Sequence, residues 1–282
     1  MKIIVTGSKG QLGTDVVAEL VRNGIEPIEA DLPELDITDS DAVEALVSQS
    51  NADAVIHCAA FTNVDIAETE REICHRINAE GTLNIARSCS EHNIKMLYIS
   101  TDYVFSGEGE VPFETNGETL PCNYYGESKL AGEKAVAENC AKYFIVRISW
   151  VFGENGKNFV KTMLRLSGER DEITVVNDQI GSPTYTKDLS KLLCEMIVTE
   201  KYGVYHATNE GFCSWAEFAS KIMELSGAKT KIIPVTSDEY KSVAKRPSNS
   251  RLSKNSLDMS GFARLPHWQD ALERFLNNIN TM

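Results

Sequence analysis

The stretch Lys2-Ile3-Ile4-Val5-Thr6-Gly7-Ser8-Lys9-Gly10-Gln11-Leu12-Gly13 decides the fold of this 282-residue chain. Its first five residues are a short apolar run rich in β-branched side chains, the pattern of a buried strand. Residues 14–23 follow with Val16, Val17, Leu20 and Val21 on one helical face. The order is strand, glycine turn, helix. The glycines are spaced G-x-x-G-x-x-G, which lets a backbone approach a pyrophosphate closely and aims the positive end of a helix at it. Glycine turns also serve ordinary strand–helix joints, so the context carries the reading. Gly7, Gly10, Gln11, Leu12 and Gly13 are therefore the candidate dinucleotide cradle.

Outward from this turn, Gly24 ends the helix and residues 25–30 read as a second strand closing on Asp31. An acid there can accept hydrogen bonds from an adenosine ribose and would repel a 2′-phosphate, which leans toward NAD. A helix-capping or loop acid is the alternative. Asp36 and Ile37 stand where an adenine edge could rest. Residues 53–60 read as a third strand, and its small Ala59 and Ala60 would let a cofactor lie against the backbone. His57 reads as a packed histidine, because no second ligand-type residue accompanies it. Residues 64–89 read as helical, with Asn78 interrupting the apolar stripe either as a buried anchor or as a solvent-facing amide. Residues 95–100 form a fourth strand that delivers Ser100, Thr101 and Asp102 at its carboxyl end, where open parallel sheets bind ligands. Residues 106–122, rich in Gly, Pro and acids, read as a surface loop of a length that is often functional. A helix opens at residue 123 and runs to 139, and a fifth strand, 143–149, ends on Trp150.

Tyr125 and Lys129 are four apart on that helix and share a face. A free phenol ionises near pH ~10, and a neighbouring ammonium favours the phenolate and lowers that value. Such a tyrosine can act as general acid or base beside a carbonyl. The lysine can also hold the ribose hydroxyls of a nicotinamide nucleotide, while Thr101 hydrogen-bonds the reacting oxygen. The pattern Y-x-x-x-K is weak alone. Here it follows a glycine turn and a hydroxyl-bearing strand end, in the order that hydride chemistry needs.

Composition narrows the partners. The net charge of −13 disfavours nucleic acid, which wants a basic surface. The seven cysteines are odd in number and none is spaced C-x-x-C, so neither a disulfide framework nor a zinc site is expected. No basic-plus-apolar leader precedes the first strand, and no apolar run approaches the ~18 residues of a membrane helix. A cytoplasmic protein with no membrane partner is expected. At 42% hydrophobic residues the chain can bury a sizeable core.

Several stretches together resemble a known family. Val5-Thr6-Gly7 with the following glycines, Ser100-Thr101-Asp102-Tyr103-Val104-Phe105 and Tyr125-Gly126-x-Ser128-Lys129 are similar to the extended short-chain dehydrogenase/reductases. Cys58-Ala59-Ala60-Phe61-Thr62-Asn63-Val64-Asp65-x-Ala67-Glu68, Arg147-x-Ser149-Trp150-Val151, residues 158–163, Asp178-Gln179-x-Gly181-x-Pro183-Thr184 and Arg246-Pro247-x-Asn249-Ser250-Arg251-Leu252 narrow the resemblance to the dTDP-4-dehydrorhamnose reductase family. The resemblance implies reduction of the 4-keto group of dTDP-4-dehydro-L-rhamnose by NADPH or NADH. It implies catalytic roles for Thr101, Tyr125 and Lys129. It adds Phe61 to the cofactor-binding set, and sugar contacts for Thr101, Asp102 and Trp150. Sister dehydratases carry Thr-Asp-Glu; Tyr103 stands in place of that Glu, so plain carbonyl reduction is the better reading. The fold also serves non-catalytic nicotinamide-binding regulatory subunits and nucleotide-sugar epimerases. Intact Thr101, Tyr125 and Lys129 argue against the former.

The expected architecture is α/β. Residues 1–150 form a Rossmann domain with a doubly wound parallel sheet. Residues 151–282 form a smaller, mixed α/β nucleotide-sugar domain, and a helix near 187–198 packs back on the first. For a diphosphate the chain offers Lys245, Arg246 and Arg251 in one segment, Arg246 foremost because arginine forks onto phosphate oxygens. Lys161 and Arg165 are a second basic pair or a solvated face. Asn158 and Gln179 are weaker candidates for the nucleotide. Some relatives form homodimers joined by magnesium through acidic side chains. Lys187, with Asp188 beside it, stands where one such acid is sought, so a homodimer is open and no metal is expected.

Overall fold

The structure, a computed structural model, describes residues 1–240 and 242–280. The last two residues of the expected second domain lie outside that range. Six parallel strands make the central sheet: β1 (Lys2–Thr6), β2 (Glu26–Ala30), β3 (Ala54–His57), β4 (Lys95–Thr101), β5 (Tyr143–Ile148) and β6 (Gly203–His206). Their spatial order is β6-β5-β4-β3-β1-β2. The chain winds one way from β1 to β2 and the other way from β1 to β3, so a crevice opens beside the carboxyl end of β1. This is a doubly wound sheet of the Rossmann type.

The two-residue period of a strand sets both faces. Ile3, Val5, Ile56, Leu97, Ile99, Phe144 and Val146 face one side, onto Val16 and Leu20 of helix Gln11–Arg22 and Leu189, Leu192 and Leu193 of helix Thr186–Ile197. Ile4, Val55, Met96, Tyr98 and Ile145 face the other. They meet Val43 and Val47 of Ser40–Ser50, Ile85 and Cys89 of Thr82–Glu91, and Val136 of Tyr124–Asn139. Each fully buried aliphatic side chain contributes ~1.5–3 kcal/mol, so these two layers hold the sheet rigid beneath the crevice. A separate core gathers Phe152, Val160, Tyr185, Phe218, Trp268 and Phe275 among helices Phe159–Ser167, Trp215–Ser226 and Trp268–Asn280. Five of the seven cysteines are buried, and all seven are free thiols.

Three elements differ from the sequence expectation. The first helix starts at Gln11 rather than residue 14, so Gly13 lies in its first turn. A Cβ there would stand 2.0 Å from the Gly7 carbonyl oxygen, which is why the helix can seat so close to the turn. The helix expected over 64–89 is broken into Val64–Ala67, Arg71–His75, a π-helical turn Arg76–Gly81 and Thr82–Glu91. The wide turn carries Asn78, whose side chain bonds across the layer instead of following the stripe. The sixth sheet strand, Gly203–His206, is four residues long and has no signal of its own. It comes from the second half of the chain, so the central sheet is built from both halves.

The 106–122 loop is tied down. Phe113 bridges to Leu252, and its amide donates to the Arg251 carbonyl at 2.9 Å. Asn249 N donates to Gly107 O at 2.8 Å. Gly107 has φ +73°, and a Cβ there would lie 2.3 Å from the Pro247 side chain.

Candidate active site

The glycine turn closes on itself through Gly10 N to Gly7 O at 3.0 Å. Gly7 sits at φ +64°, and a Cβ on it would lie 2.7 Å from Ala59 N. The tips of β1 and β3 therefore touch through bare backbone. Gly10, the N-cap of helix Gln11–Arg22, carries no side-chain cap, so the helix N-terminus is left to other acceptors. Ala59 N donates to Thr6 Oγ1 at 3.3 Å, and Ala60 follows on the same rim. Asn78, 1% exposed, accepts from Phe61 N at 2.8 Å and donates to Phe61 O at 3.0 Å and Ser128 Oγ at 2.9 Å. It is the buried anchor of the two readings, fixing the β3 exit against the Tyr124–Asn139 helix.

Asp31 accepts from Lys9 N at 2.9 Å and Leu32 N at 2.8 Å, so it braces the glycine turn. Lys9 Nζ lies 2.8 Å from Glu34. The two residues expected at the adenine edge lie in the turn that follows. Asp36 accepts from Thr38 N at 2.9 Å and Thr38 Oγ1 at 2.8 Å, bonds that hold its carboxyl below the usual range. The Ile37 side chain is buried in the core against the Gly81 turn. His57 is packed between Thr6 Oγ1 at 2.6 Å and Thr82 Oγ1 at 3.1 Å; burial drives its pKa down to about 3, so it stays neutral.

The carboxyl end of β4 and the start of the Tyr124–Asn139 helix bring the reactive groups together. Thr101 Oγ1 donates to Asp102 Oδ1 at 3.0 Å and accepts from Tyr103 N at 3.2 Å. The Tyr103 and Tyr125 rings meet edge to face at 5.5 Å. Lys129 is buried; its Nζ donates to Ile99 O at 2.7 Å and lies 4.1 Å from the centre of the Tyr98 ring. Burial pulls the Lys129 ammonium down to about 7, against Glu133, which works to raise it. Burial first, then the Asp102 charge, push the Tyr125 phenol well above its ordinary value, with Thr101 opposing. Burial thus opposes the acidification expected from Lys129. The amine bonds to a strand carbonyl and is not among the groups that set Tyr125, whose desolvation dominates. A phenol that keeps its proton is suited to donate it. Asp102 is 3% exposed and its Oδ2 has no hydrogen-bond partner among the described residues; burial raises its carboxyl to about 6, partly offset by Ser250 and Thr101.

The helix carrying Tyr125 starts at Asn123, whose side chain accepts from Gly126 N at 2.9 Å and donates to Lys245 O at 2.8 Å. Gly126 permits close seating, since a Cβ would lie 2.2 Å from Tyr103 O. Trp150 turns the chain out of β5 with φ +49°, a strained conformation for a bulky residue, and stacks on Trp215 at 3.8 Å.

Of the candidate cations, Arg246 alone pairs a committed end with an unused, buried one. Its Nη2 meets Asp65 Oδ2 at 2.7 Å, while Nη1 is shut from solvent with no partner among the described residues. Lys245 is exposed toward Glu108 at 3.6 Å, and Arg251 Nη1 donates to Asn249 Oδ1 at 2.9 Å. Lys161 Nζ is spent on Glu154 O at 2.5 Å, and Arg165 pairs with Glu169 at 2.8 Å on the surface. Asn158 caps the Phe159–Ser167 helix. It accepts from Lys161 N at 3.0 Å and donates to Gln11 Oε1 and Gly153 O, both at 2.8 Å, which consumes its amide. Gln11 is thereby fixed between the glycine turn and Val151 O, 3.3 Å away. Gln179 Nε2 donates to Ser237 Oγ at 2.9 Å. Sequence reasoning gave no role to Asp65, Glu68 or Asn123, although the first two stand in a quoted motif. Their partners are 56 to 181 residues away, beyond any local pattern.

A family model described as the RmlD substrate binding domain matches residues 1–281. The spore coat polysaccharide biosynthesis protein SpsK of Bacillus subtilis (strain 168) is 40% identical over 275 residues, 98% of this chain and 96% of that one. The dTDP-4-dehydrorhamnose reductase of Escherichia coli (strain K12) is 36% identical over 296 residues, covering 100% of this chain and 99% of its own. A solved dTDP-4-dehydrorhamnose reductase from Bacillus anthracis str. Ames, in complex with NADP, superposes with a TM-score of 0.96 at 44% identity over 98% of this chain and 99% of that one. A UDP-glucose 4-epimerase of Thermus thermophilus, in complex with NAD, shares the fold, with a TM-score of 0.85 at 18% identity, covering 99% of each chain.

Proposed function

Since this chain belongs to the RmlD substrate binding domain family, alongside proteins named dTDP-4-dehydrorhamnose reductase, we propose that it reduces the 4-keto group of dTDP-4-dehydro-L-rhamnose to give dTDP-L-rhamnose. NADPH or NADH supplies the hydride when bound. The cradle fits such a dinucleotide: with no Cβ at Gly7 or Gly13 the turn closes against backbone 2.7 and 2.0 Å away, and the helix N-terminus behind it carries no side-chain cap. Gly7, Gly10, Gln11, Leu12 and Gly13 hold the pyrophosphate, Asp31 the adenosine end, and the Ala59–Ala60–Phe61 rim the backbone side. The sheet lobe carries the cofactor, and the lobe around the second core carries the nucleotide sugar.

The observation that carries the reading is the placing of Tyr125, edge to face with Tyr103 at 5.5 Å, on the helix that packs beside Thr101 and Asp102 at the carboxyl end of β4; burial favours its protonated form. Thr101 orients the sugar ketone, and Tyr125 gives its proton to the C4 oxygen as charge develops there. Lys129, one turn along the same helix, holds the ribose hydroxyls of the nucleotide. Asp102 and Trp150 contact the sugar, and Arg246 the diphosphate. Tyr103 offers no carboxylate for elimination, which favours reduction over dehydration.

The test is nicotinamide absorbance with a panel of 4-keto nucleotide sugars and both cofactors. Oxidation should require the keto-sugar nucleotide. Epimerisation without net oxidation, or cofactor binding with no turnover, would replace the reading with an epimerase or a binding subunit.

A further inference from the structure

We propose that Asp65 and Glu68 are positioning residues that lock the diphosphate-binding arginine and the helix of the proton-donating tyrosine into one frame; this rests on the reading above. Asn63 caps the short turn that carries them, accepting from Ile66 N at 3.1 Å. Asp65 takes Arg246 Nη2 on Oδ2 at 2.7 Å and Ala244 N on Oδ1 at 3.0 Å. Glu68, three residues on, takes Tyr124 N on Oε1 at 2.8 Å, the amide next to the catalytic tyrosine. Its Oε2 is held by Arg71 at 2.8 Å. Asn123 closes the ring by donating to Lys245 O at 2.8 Å.

Four hydrogen bonds thus join segments 65–68, 123–124 and 244–246. Only one side of the Arg246 guanidinium is held. With Nη2 on a charge-assisted bond and the neighbouring backbone pinned, the planar fork has a single orientation. Nη1 is left buried without a protein partner among the described residues, and a buried donor is costly until something accepts from it. A diphosphate oxygen is such an acceptor. Arg246 also holds the Asp65 carboxyl below its usual range, so the pair stays charged. A substrate gripped through its diphosphate is registered, through the same turn of chain, against the helix that presents Tyr125.

The experiment is steady-state kinetics on five variants. In Asp65→Asn, KM for the nucleotide sugar should rise about tenfold with kcat within about twofold and NADPH affinity unchanged. In Glu68→Ala, kcat should fall with little change in that KM, and Glu68→Gln, which keeps the acceptor, should restore it. If Asp65 acts through Arg246, the double variant D65N/R246K should be no worse than R246K alone. Additive losses in that cycle, or a D65N loss shared equally by NADPH, would overturn the proposal. Should the wild type fail to reduce the keto-sugar nucleotide, the reductase reading fails. Calorimetry with dTDP then still decides the frame: it stands if D65N and R246K weaken dTDP binding alike, and falls if D65N binds as the wild type does.

Discussion

Tyr125 and Lys129 are read from sequence as a phenol and the ammonium that acidifies it, yet burial dominates both. The phenol is held in its protonated form, and the amine is brought to the edge of neutrality at about 7. For a reduction this is productive, because the proton is present when the ketone gains charge. Tyr125→Phe should lower kcat by ~10²–10⁴ while leaving NADPH binding intact, measured by turnover and by fluorescence titration of the cofactor. Because kcat/KM reports the free enzyme, it should decline as pH rises through about 7 and Lys129 loses its charge. A profile flat to pH ~9 would contradict that assignment. Asp102 makes the opposite kind of statement. Its folded pKa, about 6, lies above the ordinary carboxylate value, so its ionisation costs stability. That cost is fully present above about pH 6 and absent below the unfolded value of ~3.9. It amounts to about 3 kcal/mol at pH 7. Asp102→Asn should therefore raise the thermal midpoint at pH ~8, leave it near the wild-type value at pH ~4, and reduce activity at both.

Among elements, the long ones are legible and the short ones are not. The apolar spacing of residues 14–23 and 187–198 announces helices within three residues of those observed, because a buried stripe repeats for several turns. A four-residue strand such as Gly203–His206 shows no period, and it is fixed by pairing with β5 rather than by its own residues. The π-helical turn at Arg76–Gly81 is equally silent, since it exists to let Asn78 reach Phe61 and Ser128. The glycine turn is legible because its chemistry is local: only an absent side chain lets Gly13 pass the Gly7 carbonyl, where a Cβ would stand at 2.0 Å. Gly13→Ala should therefore cost NADPH affinity at least about tenfold and lower the thermal midpoint, measured by titration and calorimetry, because the contact is backbone and cannot turn aside.

At the scale of the molecule, the two halves cannot be parted at residue 150. Helix Thr186–Ile197 covers one face of the sheet and β6 closes its edge, and both come from beyond that point. A fragment of residues 1–150 would expose Ile3, Ile56, Leu97, Phe144 and their neighbours to water. It should aggregate or lack a cooperative transition in circular dichroism, whereas a fragment ending after residue 206 should recover part of the fold. The site follows the same logic. Thr101 ends β4, Tyr125 opens a helix and Lys129 follows one turn on, so motif order alone could single them out as candidates. The Asp65–Arg246 bond spans 181 residues and Asn158 is taken up by its own helix, and neither fact has a trace in local sequence. The stack of Trp150 on Trp215 has an optical meaning. All three indoles of the chain, Trp150, Trp215 and Trp268, belong to the second core or pack against it. Ultraviolet emission excited at their band therefore reports on the second core, and the coupled pair at 3.8 Å gives it a dichroic signature that loosening of that core would erase.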